Sequence, residues 1–471
     1  MTKATIAAGT AATLLLLLAL TATYRAFHRN IPPGTAKSGA INPSTAPAAE
    51  GSPPTAEEYQ GFLYGRIDTV DGATYEGRLR FGGAEEAFWG DFFNGFRHAN
   101  PWVSQVPSER LPKIRRPIDI FGITIAHRVS PIDLRRQLVA RFGEIARIEA
   151  RGLEVLVTLK SGGAVSIDRS SASDFDDGVR VWDAGQGVVD LDSLRIRTIE
   201  LLPTPSLGAL PYRLQGTVRT RQGDFVGFVG WDRDECVGSD ELDCRAAGSK
   251  IRLRFDSIRS IARRSSESAA VTFLDGREIV LSDNREFGQG NRGISVDDRR
   301  YGRVQISWEA FERVDFGPGG SGPAYGDFPP GHPLTGSVTT RAGRRLTGRL
   351  VYDLDESEST ETLDAPSGGV GYALPFGRIA SITLPPLDQR GTERARVTLH
   401  GGEELTLECT GDLGEGNAGM LIFVDGRERP EYLPWTEVGR VDLAPPPAQS
   451  PQPERRLVAS PRNRRDSATS R

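Results

Sequence analysis

One short apolar pattern recurs six times along the chain and constrains its fold more than any other feature. A mostly aromatic residue is followed three positions later by a branched apolar residue or Phe. Three further on comes Ile or Val. The six sets begin at Phe142, Ser193, Phe255, Trp308, Phe376 and Trp435. They continue through Ile145 and Ile148, Ile196 and Ile199, Ile258 and Ile261, Phe311 and Val314, Ile379 and Ile382, and Val438 and Val441. Ser takes the aromatic place in the second set alone. Alternating apolar residues lead into the pattern, as in Val304, Ile306 and Trp308. Alternation marks a strand with one buried face, a three-residue step marks a single tight turn, and the closing Ile or Val opens another strand. Apolar residues at such switch points in every copy read as a repeated core.

A longer period joins these units in pairs. The first member of each pair opens with a Gly-led hairpin: GRIDTVDGATYEGRLRF (65–81), GTVRTRQGDFVGFVGW (216–231) and GSVTTRAGRRLTGRLVY (336–352). Asp71-Gly72 is a strong hairpin-turn pair, and Gly223 and Gly343 hold the matching place. The second member carries VLVTLKSGGAVSI (155–167), AVTFLDGREIVL (270–281) or RVTLHGGEELTL (396–407). The reading is an all-β chain of three tandem repeats, at 58–203, 204–316 and 333–443. Each half-repeat ends in strand, one turn, strand, an order that resembles the small SH3-like or Sm-like barrel. That resemblance implies a pair of small barrels per repeat and no particular activity.

The repeats differ in detail. The first carries an insertion at 97–139, in which Ser130 can cap a short helix with Pro131 at its first position and Asp133 in its first turn. Ile132, Leu134, Leu138 and Val139 would form the apolar side of that helix. Trp102 and the local basic cluster Lys113, Arg115 and Arg116 are candidate binding residues. A Gly/Pro linker at 317–332 separates the second and third repeats.

The ends of the chain bear on location. Ala4 to Thr23 contain no charge, and twenty residues of helix span about 30 Å, enough to cross a bilayer. Leu20-Thr21-Ala22 has a large residue where a cleavage site needs a small one. Residues 1–29 therefore read as a signal anchor, with a cleaved signal peptide as the alternative. Residues 30–57 are a Pro/Ala/Ser spacer and 444–471 a basic tail; both lack the apolar content to pack. This layout is that of a cell-envelope protein with a single inner-membrane pass and its body outside the cytoplasm, or of a secreted or periplasmic protein after cleavage. The net charge of −4 is the remainder of an acidic body between basic ends. An acidic body argues against a nucleic-acid partner.

The most distinctive polar feature follows the opening hairpin of the second and third repeats: WDRDECVGSDELDC (231–244) and YDLDESESTETLD (352–364). Asp232, Asp234, Glu235, Asp240, Asp243, Asp353, Asp355, Glu356 and Asp364 offer hard oxygen ligands of the kind Ca²⁺ takes. The spacing is not that of an EF-hand. The competing reading is an acidic turn whose carboxylates bond backbone amides. Cys236 and Cys244 fall within one such loop, and an oxidising compartment would let them form a local disulfide; Cys409 is the third cysteine. The five histidines show no metal-ligand spacing, and no nucleophile elbow, phosphate loop or dinucleotide fingerprint occurs. Apart from Ca²⁺, no cofactor is expected. The expected function is a non-enzymatic binding or scaffolding module that presents repeated surfaces to a protein or glycan, held to the membrane by its N-terminal helix. The alternatives are a Ca²⁺-dependent adhesion module and a hydrolase with its site at a repeat interface.

Overall fold

The computed structural model describes residues 60–445 apart from 83–84, 112, 121–122, 132–133, 135, 206, 208–211, 233–234, 247–248, 321 and 387–393. The side chains of 113–131, 173 and 284 are likewise outside the description. The expected anchor and spacer, and the tail beyond 445, lie outside the described residues. Among the described residues no helix is long and apolar enough to cross a membrane.

The chain is all-β. In the first repeat the strands are β1 (Tyr64–Thr69), β2 (Thr74–Phe81), β3 (Phe92–Phe96), β4 (Lys113–Ile120), β5 (Ile123–Pro131), β6 (Gln137–Arg141), β7 (Ile145–Arg151), β8 (Glu154–Leu159), β9 (Ala164–Asp168), β10 (Val179–Asp183), β11 (Gly187–Leu191) and β12 (Ile196–Leu201). The second holds β13 (Gln215–Thr220), β14 (Gly223–Gly230), β15 (Glu241–Ala246), β16 (Ser249–Arg254), β17 (Ile258–Arg263), β18 (Ser268–Phe273), β19 (Glu278–Ser282), β20 (Ile294–Asp298), β21 (Gly302–Ile306) and β22 (Phe311–Phe316). The third holds β23 (Thr335–Thr340), β24 (Arg345–Val351), β25 (Thr362–Ser367), β26 (Val370–Pro375), β27 (Ile379–Thr383), β28 (Arg394–Leu399), β29 (Glu404–Glu408), β30 (Met420–Phe423), β31 (Glu431–Leu433) and β32 (Val438–Leu443).

One strand order appears in three sheets. It is β11-β10-β2-β1-β12-β7-β8-β9 in the first repeat, β21-β20-β14-β13-β22-β17-β18-β19 in the second and β31-β30-β24-β23-β32-β27-β28-β29 in the third. At the centre of each lie the strands that open with the apolar sets. Five of the six sets begin on a single 3-10 turn, and Trp308 begins the sixth on a hydrogen-bonded turn. Their last residues then meet across the central strand pair: Ile148 opposite Ile199, Ile261 opposite Val314, Ile382 opposite Val441. Ile67, Val218 and Val338 extend these rows on one side, and Val157, Val271 and Val397 on the other. All twelve are fully buried. Burying each such side chain contributes about 2 kcal/mol, so the rows add substantially to cohesion within a repeat.

The strands do not group by the half-repeats of the sequence. In the second repeat β15 to β19 run consecutively and close on themselves where Arg245 of β15 pairs with Ser282 of β19. The other five strands, β13, β14, β20, β21 and β22, come from both ends of the repeat and flank that group. The first and third repeats keep the same central order, but β3 and β6 form a sheet of their own and β25 and β26 join the sheet of the second repeat. The half-repeat boundary drawn on the sequence thus falls inside a structural group. A periodic sequence specifies a period but not the point at which its unit begins.

The expected helix at Ser130 is replaced by strand. Ser130 and Pro131 end β5, opposite Ile114 and Lys113 of β4. A proline at a strand end sacrifices little pairing. Leu138 and Ala140 of β6 face inward and alternate with Gln137 and Val139, a period of two rather than 3.6. Backbone pairing with β3 outweighs the local capping signal.

The repeats are joined by three different seams. Strand β21 of the second repeat pairs with β26 of the third, which extends one sheet across the boundary. Phe62 of the first repeat clusters with Cys236 and Val237 of the second. The insertion of the first repeat clasps the third: Trp102, Val106, Leu111 and Leu134 pack with Val351, Leu354, Leu421 and Tyr432. The Gly/Pro linker is more than a spacer. Phe328 joins the core of the first repeat, and Lys160 donates to the carbonyls of Tyr325 at 2.5 Å and Phe328 at 3.2 Å.

Candidate functional site

The acidic loops are turns whose carboxylates serve the backbone and the arginines. Phe81, Trp231 and Tyr352 each bridge to the glutamate four residues on: Glu85, Glu235 and Glu356. The residue after each aromatic, Gly82, Asp232 or Asp353, has a left-handed backbone with φ of 47°, 46° and 50°. A later carboxylate then accepts from two consecutive backbone amides in every repeat. Asp91 accepts from the Glu86 and Ala87 amides at 2.9 and 2.8 Å. Asp240 accepts from Cys236 and Val237 at 2.8 and 3.0 Å. Glu361 accepts from Ser357 and Glu358 at 2.5 and 2.9 Å.

The remaining carboxylates are drawn toward guanidinium groups. Asp232 accepts from the Arg292 amide at 2.6 Å and lies 3.3 Å from its guanidinium and 3.5 Å from that of Arg285. Asp353 pairs with Arg136 at 2.6 Å, and Asp355 with Arg97 at 3.1 Å. Arg97 also takes Glu361 at 2.6 Å. Asp243 pairs with Arg252 on an exposed face at 2.9 Å. The Asp364 amide donates to Asp412 at 2.6 Å. Burial and the neighbouring carboxylates of Asp355 and Asp412 push the Glu356 carboxyl well up. Asp234 lies outside the described residues. Among the described residues no group of three or more His, Cys, Asp or Glu is placed to hold a metal ion. The carboxylates expected to converge on Ca²⁺ are spread over two repeats; Asp232, Asp243, Asp353 and Asp355 are engaged by arginines, the last two by arginines of another repeat.

The expected disulfide between Cys236 and Cys244 is not formed. Cys236 packs at the first seam with Phe62, whereas Cys244 lies in the core of the second repeat. Burial pushes the Cys236 thiol well up and that of Cys244 to about 12. Trp102, expected as a binding residue, packs within the chain: its ring stands edge-on to Phe423 of the third repeat at 6.1 Å. Lys113, Arg115 and Arg116 lie on β4, and their side chains are outside the description.

The site that the structure does assemble was not marked by any motif. A groove of about 1170 Å³ lies where all three repeats and the linker meet. Trp89 comes from the first repeat, Phe228, Asp297, Arg299 and Arg300 from the second, and Arg378 from the third. Beneath it runs a buried charge network. Arg213 donates to the Trp89 carbonyl at 2.7 Å and lies 3.5 Å from Asp91. Arg303 donates to the Gly90 carbonyl at 2.7 Å. Asp297 is buried; burial pushes its carboxyl up, while Arg303, Arg213 and Arg141 pull it down. Gly90, with φ of 87°, lets the chain pass directly under that carboxylate, where a Cβ would overlap it.

Not every charge in the groove is answered. Asp298 is taken by Arg300 at 2.7 Å, and Asp327 caps the Ala324 amide at 2.9 Å. Among the described residues no carboxylate forms an ion pair with Arg299 or Arg378. Burial and the nearby Arg141 guanidinium push Arg378 down to about 10. The Arg378 guanidinium donates to the Arg299 carbonyl, and a half-buried cation without an ion pair favours an incoming anion. Nothing in the sequence singled out Arg378: it holds the third position of the sixfold turn, which varies among Glu, Arg, Ser and Ala. A second cavity of about 450 Å³ lies in the third repeat between Leu413, Tyr432, Trp435 and Arg110.

No known family, curated protein or solved structure matches the chain.

Proposed function

We propose that this is a non-enzymatic binding and scaffolding protein of the cell envelope, held to the membrane by its N-terminal segment. In this reading each repeat is a pair of small SH3-like barrels, one built from consecutive strands and one from the two ends of the repeat. The three repeats act as a single block that presents the central groove to an acidic protein segment or glycan. Arg378 carries this reading: a half-buried guanidinium without an ion-pair partner among the described residues, in a groove lined by all three repeats. The buried carboxylates support it too, because they are invested in holding repeats together rather than gathered at one cleft.

The test is a calorimetric titration of the full chain with oligogalacturonate, an acidic peptide and a neutral oligosaccharide of equal length. Saturable binding of one acidic probe, absent with the neutral one and lost in Arg378→Gln, is expected. If neither acidic probe binds, or Arg378→Gln binds as well as the parent, the reading fails.

A further inference from the structure

The second seam sets a rule that the chain follows once and leaves open once. Strand β21 is the second strand of a hairpin with β20, and β26 is the second strand of a hairpin with β25. They pair antiparallel, with Val304 opposite Tyr372 and Gln305 opposite Gly371. In the shared strand order β11 holds the place of β21 one repeat earlier; β16 corresponds to β26, since each is the second strand of a hairpin and leads into the turn at Phe255 or Phe376. Among the described residues neither is paired on its outer side, and each ends its sheet. Val188 on β11 is 58% exposed, and on β16 Lys250, Arg252 and Arg254 are exposed while Ile251 and Leu253 are partly so.

The two open edges are complementary. Cross-strand partners within the hairpins align Tyr372 with Ile251 and Gly371 with Lys250, because Ala365 faces Tyr372 as Cys244 faces Ile251. Likewise Val304 aligns with Val189 and Gln305 with Asp190. In the register of the existing seam, Val189 would meet Ile251, and Asp190 would meet Lys250. One edge carries Asp190 with Asp183 and Asp192 beside it; the other carries Lys250, Arg252 and Arg254. Charge on an edge strand often serves to prevent pairing. That explanation is weakened here, because β21 carries Arg303 at its own edge and is paired.

We propose that β11 of one copy of this chain pairs with β16 of a second copy, in the register of the β21–β26 seam. The two edges are different surfaces of one chain, so the contact is head-to-tail. It builds rings or open filaments rather than a closed two-fold dimer. Existing partners do not block it: Asp190 pairs with Arg180, and Lys250 with Asp243, as exposed ion pairs that exchange readily. The proposal does not depend on the central groove, which lies elsewhere on the chain.

Sedimentation of the full chain in a mild non-ionic detergent, over a wide concentration range, tests it. Reversible association beyond a dimer is expected. Asp190→Lys and Lys250→Asp, each replacing an attractive cross-strand pair by a repulsive one, should each weaken it by roughly tenfold, or about 1.4 kcal/mol. The double variant restores the pair with reversed sign and should recover the parent behaviour. Association through the N-terminal segment would be indifferent to all three variants. A chain that stays monomeric, single variants without effect, or a double variant that recovers nothing would each overturn the proposal.

Discussion

Ile261 and Val314 stand directly opposite each other on the two central strands of the second repeat, both fully buried. They lie fifty-three residues apart in the sequence, each at the end of its own apolar set. The pair joins the consecutive strand group to the flanking one, so damage there should loosen both. Ile261→Ala should cost about 2–4 kcal/mol and Val314→Ala somewhat less. Because they share one packing site, the double variant should cost less than the sum of the two. Denaturant midpoints for the four proteins of that cycle measure the shortfall; strict additivity would refute a direct contact.

The clasp between the first and third repeats should weaken in alkali. Burial pushes Asp353 up to about 8 and Asp355 up to about 7, against the pull of Arg136 and Arg97. Glu361, Glu356 and Asp412 face the same cluster and add to the repulsion. These folded values exceed the ~3.9 of an unfolded aspartate, so the folded chain binds more protons over the interval between them. Their stabilising contribution is complete below about pH 4 and is lost as the pH rises through 7 to 8. Asp353→Asn keeps the shape and tolerates the left-handed backbone but does not titrate. Urea midpoints should fall from pH 6 to pH 9 in the parent and fall less in Asp353→Asn. An equal fall in both would show that Asp353 is not the titrating group.

Gly90 and Gly72 share a φ of 87° but differ in what lies above them. Nothing lies within reach of a Cβ on Gly72, whereas Gly90 passes under the Asp297 carboxylate. Gly72→Ala should therefore cost only the strain of the left-handed backbone, about 1–2 kcal/mol. Gly90→Ala should cost clearly more and disturb the groove. Comparing the two melting temperatures isolates the steric part; equal losses would mean that Asp297 moves aside freely.

The cysteines give a chemical check on the second repeat. With Cys236 and Cys244 buried in separate places and both thiols raised, alkylation of the folded chain should be slow at neutral pH. Unfolding without reductant should release three reactive thiols, matching the three cysteines of the sequence. A count of one would mean that the disulfide forms after all.

The turns and rows of the core were readable because they depend on local chemistry. Phe255, Ile258 and Ile261 announce a turn and a strand from spacing alone, and the structure uses them at that step. The grouping of strands was not readable, because Gly216 pairs with Phe316 across a hundred residues and no local pattern records such a partner. Ser130 and Pro131 misled for the same reason: a capping signal is local, while the strand partner of β5 decides its state. The acidic loops were located correctly on the chain but misjudged in surroundings. The arginines that meet Asp353 and Asp355, Arg136 and Arg97, come from the insertion of another repeat. Trp89, Arg299 and Arg378 of the groove are each unremarkable in sequence and gain meaning from being brought together.

In every repeat the first strand pairs with the last: Gly65 with Leu201, Gly216 with Phe316 and Gly336 with Leu443. A chain that emerges end-first, from a ribosome or through a translocation pore, cannot complete any of these units until its final strand has come out. Each repeat is thus kept unlatched while it is threaded and snaps shut from its trailing end. The last of the three closes only at β32, so a truncation shortly before Val438 should strand the whole third unit in an unfinished state.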